Sequence, residues 1–299
     1  MRIDVHQHLW PAPFLAALRA RRTPPRLEGW ELHLPGQRSY PVDPIHHDVE
    51  ARALQAKGDG CTLVCVSPSA ALGLDRLPPA ESDETAAAWL EGALAFPAPF
   101  RPFAMPTTPA ALEDALAAGA IGLEVGADLL AAPGGLDRLA PLLAVLDAAE
   151  RPLLVHPGPA DMEDTARHPD WWVPVVPYVG QLNAAWWAWA DGGRERFPRL
   201  PVCFAALAGL GPLHGERQRA RGGAAGTVDA LTLVETSTYG TVAVDAVVRV
   251  LGIDVVCHGS DRPYADPVLP RLGSEAALGA ITSVNPGRLL AHVPQEVNA

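Results

Sequence analysis

His6 and His8 stand one residue apart at the end of a short apolar run, Ile3-Asp4-Val5-His6. On a strand, side chains alternate between faces, so the two imidazoles point the same way and can bind one metal ion. The pair alone is a weak signal, because most His-x-His pairs are accidents of a surface. Two later apolar runs end in ionisable groups as well. Leu153-Leu154-Val155 closes on His156, and Val255-Val256-Cys257 leads into His258-Gly259-Ser260-Asp261. Taken singly, His156 also fits a hydrogen-bonded core histidine, and Asp261, before Arg262-Pro263, a turn or helix cap. Taken together, His6, His8, His156 and Asp261 lie at the C-terminal ends of three strand-like runs. Three neutral imidazoles and one carboxylate suit a divalent ion, Zn²⁺ first, with Mn²⁺, Fe²⁺ or Co²⁺ also compatible.

Such a site needs strands whose ends converge. The apolar runs are Ile3–His6, Thr62–Ser67, Arg101–Met105, Ile121–Val125, Pro152–His156, Pro201–Ala206, Leu231–Thr236 and Val255–Gly259. Helical pattern lies between most of them, which indicates parallel strands covered by helices. About eight such units predict an α/β chain folded as a (β/α)₈ barrel rather than an open doubly wound sheet. No glycine-rich phosphate loop follows the first strand. The chain reads as one domain, 1–299, with an insertion at about 11–47. Within it, Trp30-Glu31-Leu32-His33-Leu34 followed by Gly36 suggests a small hairpin. The Pro-rich loop from His156 to Pro177 is the second long segment, and both would overhang the C-terminal face of the barrel. Helices are expected over Pro109–Leu116, from a Ser82 or Asp83 cap through Leu94, and from a Thr241 cap through Val250.

The net charge is −11, and Lys57 is the one lysine among 23 basic residues. That balance argues against nucleic-acid or membrane-surface binding. No secretory signal and no apolar run of ~18 residues is seen. Cys61, Cys65, Cys203 and Cys257 lie in apolar runs without a CxxC pair, which fits buried, reduced thiols and the cytoplasm. The basic run Arg217–Arg221 reads as a solvated helix face or an anion-binding patch.

Across nearly its whole length the chain resembles the amidohydrolase-related, aminocarboxymuconate-semialdehyde-decarboxylase-like family of metal-dependent barrels. The resemblance rests on Ile3-Asp4-Val5-His6-Gln7-His8, on Leu154-Val155-His156-Pro157 and on Asp191 through Leu200. It ends with Gly259-Ser260-Asp261-Arg262-Pro263-Tyr264. It implies one metal ion held by His6, His8, His156 and Asp261, with a water as a further ligand. One departure bears on mechanism: where the family shows His-Leu-Gly-Gly, this chain has Phe204-Ala205-Ala206-Leu207-Ala208-Gly209. The histidine that polarises or deprotonates the metal-bound water aligns with Ala206, and a binuclear site loses a ligand there.

Several residues can compensate. Asp261 can take the water's proton. His214 and His258 lie nearby in sequence, each also readable as structural. Glu124 can act as base, acid or extra ligand, or be a buried carboxylate paired with arginine. Glu235 suits a structural hydrogen-bonding role. Arg262 suits a substrate carboxylate or a surface ion pair. Trp10, Trp171 and Trp172 fall in loops over the mouth and can wall an aromatic or unsaturated substrate, whereas Trp186, Trp187 and Trp189 suit the core or a homodimer interface. The first expectation is a metal-dependent hydrolase using activated water on a small amide, ester or lactone. The alternatives are a non-oxidative decarboxylase of an unsaturated or aromatic carboxylic acid and a degenerate barrel that binds a metal or ligand without turnover. The partner is a small molecule, anionic if Arg262 serves it.

Overall fold

The computed structural model describes residues 2–160, 168–224 and 229–294. Its strands are β1 (Arg2–His8), β2 (Arg26–Glu28), β3 (Glu31–His33), β4 (Tyr40–Pro41), β5 (Cys61–Ser67), β6 (Phe100–Pro102), β7 (Leu123–Gly126), β8 (Leu153–His156), β9 (Val202–Phe204), β10 (Thr232–Glu235) and β11 (Val256–Cys257). Each of the eight apolar runs overlaps β1 or one of β5 to β11. β1, β5 and β6 form one parallel sheet, and β11, β10, β9, β8 and β7 form another, in those orders. Single parallel bridges, Gln7 to Arg262 and Ala104 to Leu123, join the sheets at both margins. There, Val5 N donates to His258 O (3.0 Å), Asp261 N to His6 O (2.9 Å) and Glu124 N to Ala104 O (2.9 Å). With helices after most of these strands, the chain is an α/β fold.

Strand alternation sorts the side chains into two layers. Val5, Cys65, Phe103, Ile121, Leu154, Cys203, Leu233 and Cys257 pack in one buried cluster, to which every parallel strand or its margin contributes. The intervening residues, such as Leu153, Val155, Val202, Val234 and Val256, pack against helix residues Leu142, Leu146, Leu182 and Val247. Strands apolar on both faces are what a helix-covered parallel sheet requires.

β1 interrupts its own alternation. Asp4 pairs with Val64 and Gln7 with Val66, so three steps along β1 match two along β5. This bulge lets Val5 stay in the inner cluster while His6 and His8, just beyond, share one centre. The Asp4 carboxylate clamps the bulge by accepting from His6 N (3.1 Å), Ser260 N (3.1 Å) and Gln7 Nε2 (2.7 Å).

The helix Pro109–Ala118 forms as expected, with Thr108 Oγ1 accepting from Ala111 N (3.3 Å) and Gly119 ending it at φ 118°. The helix expected from Ser82 starts earlier, at Pro79, because proline suits a first turn, and Ser82 is buried along it. Gly240, not Thr241, precedes the helix Thr241–Leu251, and the Thr241 hydroxyl instead accepts from Arg271 N (2.9 Å). Segment 11–47 holds the helix Ala12–Ala20 and an antiparallel sheet β2-β3-β4, one strand more than a hairpin. Arg52 ties this segment to β1, donating to His46 O (2.7 Å) and His8 O (2.9 Å). In the helix Pro177–Ala190, Trp186 packs on Phe204 and Trp189 is buried, its Nε1 donating to Thr232 Oγ1 (3.0 Å), so these rings serve the core. The helix Gly215–Ala220 carries Arg217 and Arg219 without burying any residue. All four cysteines are free and buried, and no helix among the described residues is long and apolar enough to cross a membrane.

Replacing Asp4 strands the buried His6 N–H and leaves Ser260 N with only its longer bond to His6 O (3.3 Å). Asp4→Ala is expected to lower the unfolding free energy by about 2–4 kcal/mol in a denaturant titration. A loss under about 0.5 kcal/mol would show that the bulge does not depend on this clamp.

Candidate metal centre and cavity

His6, His8, His156 and Asp261 come together from β1, β8 and the turn after β11, each offering a ligand atom within 4.8 Å of the others. The three imidazole rings stand nearly perpendicular to one another with centroids 4.9 Å apart. Each ring is oriented through its Nδ1, which lies 3.1 Å from Glu235 Oε1 in His6, 3.3 Å from Ser67 O in His8 and 2.9 Å from Pro157 O in His156. Donating there places the remaining lone pair on Nε2, facing the centre. His6 Nε2 and His8 Nε2 are 3.1 Å apart, and Asp261 Oδ1 is 3.2 Å from His8 Nε2 and 3.6 Å from His6 Nε2. Such separations are what ligands about 2.0–2.2 Å from one ion have.

Bare lone pairs this close repel one another, and one proton bridges a single pair, whereas a divalent cation serves all four donors. The electrostatics agree. Burial opposes charge on His6, yet Glu235, with Asp261 and Glu124, outweighs it and raises the imidazole to about 9. Burial, with His6 alongside, holds His8 and His156 well below the usual histidine range. The carboxylates thus favour a positive charge among otherwise neutral imidazoles, and the residues present fit a bound divalent metal.

His6, His156 and Asp261 open onto a cavity of about 700 Å³. Leu34, Leu72, Val173, Val179, Leu182 and Ala206 supply apolar wall, and all four tyrosines of the chain, Tyr40, Tyr178, Tyr239 and Tyr264, line it. Ala206 puts a methyl group where the family's histidine aligns. It opens five consecutive residues in left-handed conformation, Ala206 to Leu210, and its N donates to Glu235 Oε1 (2.6 Å). Ser237 N and Oγ also donate to Glu235, at 2.6 Å each. Glu235, fully buried, therefore joins His6 to the turns after β9 and β10.

The other expected site residues divide. Glu124 is buried behind His156, its Oε1 3.6 Å from His156 Nδ1 and accepting from Ala70 N (3.2 Å). Burial raises its carboxyl to about 7, and no arginine pairs with it among the described residues. Six expected residues need correction. His258 follows the inward Cys257 and so faces outward, its Nε2 3.9 Å from Asp4 Oδ2. His214 is exposed at the end of the turn Ala206–His214, away from the cavity lining. Arg262 pairs with Asp59 (3.1 Å) and Asp266 (3.6 Å), taking the ion-pair alternative rather than facing the cavity. Trp10 is buried, stacked on His47 with centroids 4.2 Å apart and donating from Nε1 to Pro68 O (2.9 Å). Trp171 and Trp172 do not line the cavity either: Trp171 is 57% exposed, and Trp172 stacks behind His168, which does line it. Residues 161–167 of that loop lie outside the described residues.

The sequence reading missed the tyrosines. Only Tyr264 carried a local signal, three residues past Asp261; Tyr40 comes from β4 and Tyr178 from the helix Pro177–Ala190.

No protein-family model and no curated protein matches the chain. Solved structures do. IDCase from Metarhizium anisopliae has 15% identity over 98% of this chain and 97% of its own, with a TM-score of 0.78. The 5-carboxyvanillate decarboxylase LigW from Sphingomonas paucimobilis has 16% identity over 97% and 98%, with a TM-score of 0.73. A dihydroxybenzoic acid decarboxylase from Polaromonas sp. JS666, solved with manganese and the inhibitor 2-nitroresorcinol, has 16% identity over 99% and 98%, with a TM-score of 0.66. The chain shares the fold of these proteins.

Glu235 orients His6, one of the residues that would hold a metal. Glu235→Gln is expected to weaken Mn²⁺ or Zn²⁺ binding about 10–100-fold in a chelator-competition titration. Wild-type affinity in this variant would contradict the role assigned to the His6–Glu235 contact.

Proposed function

We propose that this protein is a metal-dependent, non-oxidative decarboxylase of an aromatic or conjugated carboxylic acid. In this reading the two parallel sheets act as one closed (β/α)₈ barrel, joined through their bridged margins. The observation that carries it is that Asp261 belongs both to the ligand cluster and to the wall of an apolar, tyrosine-lined cavity, while Ala206 leaves no imidazole at the water-activating position. The likeness to three decarboxylases supports decarboxylation over the hydrolase expectation.

His6, His8, His156 and Asp261 would hold Mn²⁺ or Zn²⁺, which supplies a positive anchor for the substrate's carboxylate. The remaining work falls to the chain. Leucine and valine side chains hold the ring and exclude water, which favours departure of neutral carbon dioxide from a carboxylate. As the bond from the ring to the carboxyl carbon breaks, its electron pair takes a proton from the Asp261 carboxyl group. Carbon dioxide leaves, and solvent returns a proton to Asp261. Glu124, behind His156, holds that ligand in place. Buried, unpaired thiols suit a reducing compartment such as the cytoplasm.

The test is turnover by metal-loaded protein on a panel of aromatic acids in D₂O. The expected result is carbon dioxide release with one deuterium at the vacated carbon, and a rate reduced about 10²–10⁴-fold in Asp261→Asn. Cleavage of esters, lactones or amides with ¹⁸O uptake from water, and no carbon dioxide, would restore the hydrolase expectation. Tight metal binding with neither activity would favour the binding-only barrel.

A further inference from the structure

Ser69 has a strained backbone. It sits at φ 92° and ψ 116°, whereas the other described non-glycine residues of positive φ lie at 46–63°, in or beside the ordinary left-handed well. Both peptides that flank it are pinned. Trp10 Nε1 donates to Pro68 O (2.9 Å), Leu72 N to Ser69 O (3.1 Å) and Ala70 N to Glu124 Oε1 (3.2 Å). Glycine would meet such a conformation at the least cost, so the strain is kept for the sake of a side chain. That side chain lines the cavity although Ser69 is only 3% exposed. Of the described polar residues in the lining, His6, His156 and Ser237 are also buried, and the rest are partly or wholly exposed. His6 and His156 belong to the ligand cluster, and the Ser237 hydroxyl donates to Glu235. The Ser69 hydroxyl neither caps the short turn Ala70–Leu72 that follows it nor bonds another described residue. A buried hydroxyl left in that state is costly unless a ligand meets it.

We infer that Ser69 is a substrate-binding residue whose hydroxyl donates a hydrogen bond to the substrate's carboxylate. The inference rests on the proposed decarboxylase reading for the identity of that group. Ser69 lies between the supports of two histidines of the ligand cluster. Two residues before it, Ser67 O is 3.3 Å from His8 Nδ1. Immediately after it, Ala70 N reaches Glu124, whose Oε1 is 3.6 Å from His156 Nδ1. The strand β5, which ends at Ser67, pairs with β1 along one edge, and the turn that carries Asp261 is bridged to β1 along the other, at Gln7 and Arg262. Ser69 and Asp261 thus approach the histidine strand from opposite sides. A carboxylate has about four lone-pair sites, more than one cation occupies, and an O–H donor to a charged oxygen makes a short, strong bond. Trp10 and Glu124, which stand outside the cavity lining, hold the strained turn from behind.

Isothermal titration of Mn²⁺-loaded wild type, Ser69→Ala and Ser69→Gly with benzoate and with sorbate tests this, with metal content and thermal midpoint measured on each protein. Both variants should keep the wild-type metal content and bind the acids about 10-fold more weakly or worse. Ser69→Gly should nevertheless melt about 2–4 °C above Ser69→Ala, because it sheds the strain, and this separates a missing hydroxyl from a damaged fold. If the alanine variant misfolds, the glycine variant decides against wild type. Affinity in Ser69→Gly within about twofold of wild type, weaker binding that follows lost metal, or a glycine variant that melts no higher than a folded alanine variant overturns the inference and leaves the decarboxylase reading intact. If metal-loaded wild type binds neither acid, the decarboxylase reading itself fails, and this inference with it.

Discussion

Three imidazole lone pairs and a carboxylate oxygen are held against one another at the C-terminal ends of β1 and β8 and just past β11. Left to themselves these groups would move apart or take up protons. They stay because each ring is fastened from behind: His6 by Glu235, His8 by Ser67 and His156 by Pro157. Glu235 is fastened in turn by Ala206 and Ser237. The centre is thus a repulsive arrangement stabilised by its surroundings, the condition in which a cation binds with the least reorganisation. The bulge in β1 belongs to the same scheme. Without its extra residue, the side chains beyond it would exchange faces, and the histidines would point at the helices instead of at His156.

Backbone strain gathers around this centre. Asp261 (φ 61°), Ser69 (φ 92°) and the left-handed turn from Ala206 to Leu210 all border the metal ligands or the cavity. A non-glycine residue in such a conformation costs roughly 1–3 kcal/mol, and it persists where the surroundings over-determine it. Here the over-determination is visible. Asp261 N and Ser260 N both donate to His6 O, and the left-handed turn packs on the helix Pro177–Ala190 so closely that a Cβ on Gly209 would lie 2.3 Å from Val179 O. The turn brings the Ala206 N–H to Glu235, so strain in one loop is exchanged for orientation of a ligand on another strand. Alanine at position 206 is thus compatible with the cluster, because its backbone still serves His6 through Glu235.

The strands and the clustering of His6, His8, His156 and Asp261 were legible in the sequence because each depends on a local pattern. Leu153 to His156 alternates outward and inward, so a polar residue ending the run had to face the interior. His258 could not be ruled out in this way, since its facing depends on where β11 keeps its register. The bulge at β1 left no mark in composition, although Asp4, which clamps it, stood in plain view beside the histidines. Arg262 and Trp10 were misread for a common reason. Adjacency in sequence to a ligand does not fix direction, and Asp59 and His47, their partners, lie far along the chain. The tyrosine wall was illegible for the opposite reason, because four residues on four separate segments become one surface only after folding.

The central claim is that four side chains converge on one ion, and an anomalous-difference map collected at the manganese edge from Mn²⁺-loaded crystals tests it most directly. The account predicts a single peak about 2.0–2.3 Å from the Nε2 atoms of His6, His8 and His156 and from a carboxylate oxygen of Asp261. A peak bound by Glu235 or His258, a second peak of equal height, or no peak in protein loaded at one ion per chain would contradict it.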